Sequence, residues 1–172
     1  TNAVKLWDAI LQAGKDFGIE PCGLGSRDTL RLEAGMCLYG NDIDETTTPL
    51  EAALSFVVKL QKDNFIGKEA LLKQKAEGIK RKRIGLLMLE QGIPRQKYEV
   101  CNDKGENIGY VTSGTFSPLL NCGIGMAYVA MPNAQEGNVV NVKIRGKLVK
   151  AKVVAFPFYD TEKYGYKRKV SI

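Results

Sequence analysis

Beyond Lys80 the sequence breaks into short β-prone runs separated by turns, and this pattern restricts the possible folds more than any other feature. Arg83 to Leu89 is the first run. Tyr98 to Cys101 and Asn107 to Thr112 flank Asp103-Lys104-Gly105, a hairpin turn. Gly123 to Ala130 is a further strand, and Val139 to Ile144 and Leu148 to Phe156 flank a second hairpin at Arg145-Gly146-Lys147. Val140, Val142 and Ile144 alternate with Asn141, Lys143 and Arg145, which predicts one buried and one wetted face. Six short strands with glycine-rich turns predict a small antiparallel barrel or sandwich.

Upstream of Lys80 the character is different. Val4, Leu6, Trp7, Ile10, Leu11 and Phe17 recur at helical spacing after Asn2, a suitable N-cap, and Gly18 and Pro21 end the helix. Its apolar face is expected to pack in a core. Cys22-Gly23-Leu24-Gly25-Ser26 is a glycine-rich turn. A short helix follows over Arg27 to Ala34, with Ser26 as N-cap and Gly35 past its end. Thr48-Pro49-Leu50-Glu51 has the signature of a helix start. β-branching in Leu54 to Val58 favours a strand, and Gly67 to Glu77 reads as a helix closed by Gly78. The fold class expected is therefore α+β, with an α+β portion over residues 1–79 and a small antiparallel β-barrel over residues 80–172.

The 172 residues suffice for one large domain or two small ones, and 44% hydrophobic with 26% charged residues is ordinary globular composition. No apolar run approaches the roughly 18–20 residues that cross a bilayer, and no targeting segment is visible, so a soluble chain without a membrane partner is expected. The net charge of +6 leaves nucleic acid, acidic partners and anionic small ligands open. The densest basic runs, Lys80 to Arg83 and Lys167 to Lys169, stand at an expected linker and at a terminus, which reads as solvated surface rather than a nucleic-acid site. The four cysteines form no C-x-x-C pair and match no zinc spacing, which suits reduced thiols used as small apolar residues. The chain contains no histidine. That removes Ser-His and Cys-His dyads and histidine-based metal sites.

Within these limits the turn at Cys22 to Ser26 is the most informative piece. A tight turn into a helix start presents free backbone N–H groups, which suit an anion or a polar heterocycle. Its glycine spacing is not that of a dinucleotide site. Arg27 is placed awkwardly, because a cation in the first helical turn opposes the helix dipole and Arg31 stands four residues on. Asp28 and Arg31 are spaced to pair. Asp42, Asp44 and Glu45 read as a solvated or salt-bridged loop without the regular spacing of a calcium loop. The hydroxyl-rich stretch Val111 to Pro118 suits either a ligand or its own loop backbone. Ser113 has no histidine to activate it, and Arg95 reads as a surface arginine at a turn.

Several ordered motifs resemble one family, the aminomethyltransferase (T-protein) of the glycine cleavage system. They are Gly23-Leu24-Gly25-Ser26-Arg27-Asp28-Thr29-Leu30-Arg31-Leu32-Glu33-Ala34-Gly35, Leu38-Tyr39-Gly40-Asn41-Asp42-Ile43-Asp44-Glu45 and Thr48-Pro49-Leu50-Glu51-Ala52. The likeness continues through Phe65-Ile66-Gly67-Lys68-Glu69-Ala70-Leu71, Gly92-Ile93-Pro94-Arg95, Gly109 to Pro118, Ala127-Tyr128-Val129 and Ile144-Arg145-Gly146-Lys147. No single motif is decisive; the ordered set is specific.

The resemblance implies a family whose chains are about twice this long, with three domains around a central folate site. Residues 1–79 would be the end of the folate-binding domain and residues 80–172 the terminal barrel. The reaction implied moves an aminomethyl one-carbon unit from lipoylated H-protein to tetrahydrofolate and releases ammonia. The resemblance implies tetrahydrofolate as cofactor, with H-protein and the N-terminal half of the same chain as partners. No catalytic residue and no metal ligand is expected in this portion, so alone it is expected to be inactive. Arg27 matches the family's folate-site arginine, and Tyr164 is the candidate for a tail aromatic that some members contribute. Where some members place a tyrosine near the folate, this sequence has Met36, and its tail from Tyr159 to Ile172 departs from the pattern. A cytoplasmic location, or the mitochondrial matrix in a eukaryote, is the matching compartment. Two alternatives stay open: a related folate enzyme of the same fold (a demethylase or a tRNA-modifying protein) and a non-catalytic binding barrel.

Overall fold

The computed structural model describes residues 2–165 and residue 168. Its centre is a closed barrel of six strands: β1 (Arg81–Met88), β2 (Glu99–Cys101), β3 (Asn107–Ser117), β4 (Cys122–Ala130), β5 (Val139–Ile144) and β6 (Lys147–Val154). The order around the barrel is β1-β4-β3-β2-β5-β6, β6 returns to β1, and every pairing is antiparallel. The barrel, not the sandwich, is the outcome. Closure removes the free sheet edges that a sandwich would have to protect.

Alternation along the strands fills the interior. Ile84, Leu86 and Met88 of β1 meet Val140 and Val142 of β5 and Ala151 and Val153 of β6, with Val100, Val111 and Val129 completing the cluster. Ile144 and Lys147 pair across a two-residue turn in which Arg145 (φ 49°) and Gly146 (φ 82°) both take positive φ. This turn geometry matches the twist of the flanking strands. Asn141 departs from the expected wet face: it is buried and donates its amide to the Asn102 carbonyl.

β3 and β4 approach closely at Gly109, where an added Cβ would lie 1.9 Å from the Tyr128 carbonyl oxygen. Gly109→Ala is therefore expected to cost about 1–3 kcal/mol through overpacking, read as a lower urea midpoint; an unchanged midpoint would show that the strands part freely there.

Among the described residues four α-helices accompany the barrel: α1 (Asn2–Gly14), α2 (Leu24–Glu33), α3 (Lys68–Glu77) and the single turn α4 (Thr161–Tyr164). No helix among the described residues is long and apolar enough to cross a membrane. The first helix forms as its periodicity predicts, but the expectation of core packing fails. No residue of α1 is buried, and Val4, Leu6, Trp7 and Ile10 are each more than half exposed. Amphipathic spacing specifies that a helix needs cover without specifying what covers it.

Three further expectations are corrected. The second helix begins at Leu24, with Gly23 at its N-cap position, so Ser26 lies inside it and makes no cap hydrogen bond. Thr48 and Glu51 form the reciprocal capping pair, Thr48 N donating to Glu51 Oε2 at 3.1 Å and Glu51 N to Thr48 Oγ1 at 3.2 Å. The helix nevertheless stops after one turn, where Ala53 takes φ 56°. Leu54 to Val58 is no strand: Ser55–Val57 is one 3-10 turn with Phe56 and Val57 exposed, since the closed barrel offers no edge to join.

The basic run is not a linker either. Arg81 opens β1, and Arg83 is buried, donating Nε to the Ala52 carbonyl (2.8 Å) and Nη1 to the Gly35 carbonyl (3.0 Å). Its guanidinium stacks 4.4 Å from the Phe156 ring centroid. Both arginines lie on the outer face of β1, which the segment upstream of residue 80 covers; Arg81 pairs there with Glu51 at 3.2 Å. In the second basic run, Lys167 and Lys169 lie outside the described residues.

Candidate functional site

α2 docks on the barrel through three consecutive residues of its last turns. Leu32 is fully buried against Ile124 and Met126 of β4. Glu33 accepts from the Ser117 hydroxyl on β3, and its carbonyl takes the Phe158 amide at 2.9 Å. Arg31 spreads its guanidinium over several partners. Nη1 lies 2.6 Å from Asp42 Oδ2, Nη2 donates to Ser113 Oγ at 3.0 Å, and Nε donates to Asp28 Oδ1 at 2.8 Å.

Asp42 is the other half of this clamp. Its side chain is fully buried, which only a saturated carboxylate tolerates. The Leu38 amide donates to Oδ2 at 2.9 Å and the Thr112 hydroxyl to Oδ1 at 2.5 Å, while Tyr128 donates its hydroxyl to the Asp42 carbonyl at 2.8 Å. Thr112 and Ser113 both serve the clamp because β3 shifts register against β4 between Val111 and Ser113. Consecutive residues of a regular strand point to opposite faces, and a bulge re-aims one of them. Burial pushes the Tyr128 phenol well up and raises the Cys37 thiol beside Arg83, Asp42 and Arg31.

The opposite, N-terminal part of α2 stands clear of the barrel. A shallow groove along the length of the helix is lined by Cys22, Gly23, Ser26, Arg27, Leu30, Arg31, Ala34 and Met36. Arg27 is exposed on it and makes no ion pair or side-chain hydrogen bond among the described residues. It falls at the end of the first helical turn, because the helix starts at Leu24, so its conflict with the helix dipole is milder than a start at Arg27 implies. Met36 shares the groove and is 64% exposed.

The other sequence candidates fall elsewhere. Tyr164 closes α4, half exposed, with Lys163 Nζ 4.9 Å from its ring centroid; Asp160 caps that turn through the Glu162 and Lys163 amides. Tyr164 does not line the Arg27 groove. Arg95 is exposed and reaches the Gly114 carbonyl at 3.5 Å. The acidic loop divides into separate roles: Asp42 is the buried clamp, Asp44 accepts from Thr46 and Thr47, and Glu45 accepts from the Tyr39 hydroxyl. The Thr46 hydroxyl and amide hold the Asp44 carboxyl below its usual range. Among the described residues no group of three His, Cys, Asp or Glu could hold a metal ion.

A family model described as the glycine cleavage T-protein C-terminal barrel domain matches residues 81–160, the span from the first residue of β1 to the cap of α4. A second, the GCVT N-terminal domain, matches residues 1–62. The chain belongs to the glycine cleavage T-protein family. It is 55% identical over 167 residues to an aminomethyltransferase of Caldanaerobacter subterraneus subsp. tengcongensis, covering 97% of this chain and 44% of that protein. A probable aminomethyltransferase of Pyrococcus horikoshii is 53% identical over 98% of this chain. The crystal structure of glycine cleavage system aminomethyltransferase T from Bartonella henselae superposes with a TM-score of 0.84 at 38% identity, over 91% of this chain and 44% of that one. The chain thus spans less than half the length of the T-proteins it matches. Within the family portion present, α2 and the barrel form one packed unit.

Proposed function

We propose that this chain supplies one wall of the tetrahydrofolate site of a glycine cleavage aminomethyltransferase, and that polypeptide N-terminal to it supplies the rest, catalytic groups included. Arg27 carries the proposal. It is an arginine without a partner among the described residues, on an exposed groove and in the position of the family's folate-site arginine. A guanidinium is a planar cation with several donors, suited to a carboxylate or to the acceptor edge of a heterocycle. In this reading α2 binds and orients folate, the one-carbon unit arrives on lipoylated H-protein, and ammonia leaves. Tyr164 is retained as the tail aromatic, and the division between folate domain and barrel is placed at residues 79 and 80. Free thiols at Cys22, Cys37, Cys101 and Cys122 suit a reducing compartment, the cytoplasm or the mitochondrial matrix.

The bare face of α1 supports the need for an upstream half. Four large apolar side chains on one helix, all more than half exposed, form a surface that a folded protein covers. The tRNA-modifying alternative loses support from the structure of the basic run, since Arg81 and Arg83 are spent on contacts within the protein.

The test is ammonia release from aminomethyl-loaded lipoylated H-protein. The complete chain is expected to release ammonia faster with tetrahydrofolate than without it, and residues 1–172 alone are expected to release none above background. Absence of tetrahydrofolate-dependent release by the complete chain overturns the proposal.

A further inference from the structure

α2 places two arginines one turn apart, Arg27 and Arg31, with Asp28 between them in sequence. Only Arg31 is held by the barrel. Asp42, itself fixed by the Leu38 amide and the Thr112 hydroxyl, anchors one edge of its guanidinium, and Ser113 takes another donor. Nε, and Nη2 shared with Ser113, face Asp28 Oδ1 at 2.8 and 2.6 Å. Asp28 is half exposed beside the groove that Arg27 lines.

We propose that Arg31, seated on Asp42, is a positioning residue that neutralises Asp28 and so keeps Arg27 available to an anionic group of the ligand. The inference rests on the reading of Arg27 as a folate contact. An uncompensated Asp28 carboxylate would act twice against an anionic ligand. It would repel the ligand's own carboxylate, and it would draw the flexible Arg27 side chain toward itself. Arg31 prevents both because Asp42 and Ser113 fix its guanidinium on one side while Nε and Nη2 close on Asp28. The bulge in β3 is part of the device, since it delivers Thr112 to Asp42 and Ser113 to Arg31 from adjacent positions.

The test is calorimetric titration of tetrahydrofolate into the complete chain, with thermal melts of each variant. Arg31→Met is expected to weaken binding about tenfold, the scale of a charge-assisted contact, and to lower Tm. Adding Asp28→Asn to it is expected to restore affinity to within about threefold of Asp28→Asn alone, while Tm stays low. A residue that only supports the fold would show no such rescue. If Arg31→Met does not fold, Arg31→Lys keeps a charge and is expected to give a smaller loss, again restored by Asp28→Asn. Unrestored affinity in the double variant, or wild-type affinity in Arg31→Met, overturns the inference. Arg27→Ala separates the two readings. If it binds as tightly as wild type, the folate assignment falls and the inference with it. If it binds weakly while the double variant stays unrestored, the inference alone falls.

Discussion

Asp42→Ala lowers the stability of the folded chain by about 3–5 kcal/mol, the range found when one partner of a buried ion pair is removed. The Asp42 side chain is fully buried, and the Arg31 side chain is only 10% exposed. Truncation leaves the guanidinium with Asp28, half exposed and so partly screened, as its remaining carboxylate. It also takes the acceptor from the part-buried Leu38 amide, a loss of about 1–3 kcal/mol if that group stays unpaired, while the Thr112 hydroxyl keeps the Met126 carbonyl at 3.2 Å. Asp42→Asn costs less, because the amide oxygen still accepts from one donor. Urea denaturation measures both. A loss below about 1 kcal/mol for Asp42→Ala would mean that water replaces the carboxylate and that the clamp adds nothing to the α2 junction.

Leu32→Ala has the second large effect, about 2–5 kcal/mol. Leu32 is fully buried between Ile124 and Met126, with Phe156 and Phe158 at the edge of the same cluster. Its removal opens a cavity at the apolar seat of α2 on the barrel. The Phe156 side chain is itself pressed against the helix end: Gly35 takes φ 73° directly behind the helix, and an added Cβ there would fall 2.7 Å from that side chain. Collapse into the cavity is therefore restricted, which places the cost toward the upper end. Hydrogen exchange separates this local loss from a global one. Amides of α2 exchange faster while those of β1 and β5 keep their order of protection. Uniform acceleration of barrel and helix would show instead that α2 and the barrel unfold as one.

The barrel was readable because it depends on local rules. Val140, Val142 and Ile144 alternate with polar neighbours, and Arg145-Gly146 supplies the two positive-φ residues a tight hairpin needs. Those rules do not reach across the chain. Asp42 looked like one of three acidic residues in a loop, since nothing near it reveals a hydroxyl seventy residues away. Thr112 and Ser113 converge only because of a bulge, and a bulge has no reliable signal in a strand that already contains glycines. The burial of Arg83 is invisible in the sequence for a related reason. It belongs to the outer face of β1, and whether an outer face meets water depends on what lies over it, here the carbonyls of Gly35 and Ala52. In the candidate site, Asp28 with Arg31 was legible as a three-residue spacing, and Arg27 as a cation at a glycine turn. Their division of labour was not, because it is set by the clamp behind them.

Whether α2 lines a folate site is decided by the affinity of the complete chain for tetrahydrofolate with and without the Arg27 side chain. Arg27 is exposed and has no partner among the described residues, so Arg27→Ala should leave Tm within about a degree of wild type, as surface substitutions do. The same variant should bind tetrahydrofolate about ten- to a hundredfold more weakly, the loss expected for one charge-assisted contact. Equal affinity in the two proteins would contradict it and remove α2 from the folate site.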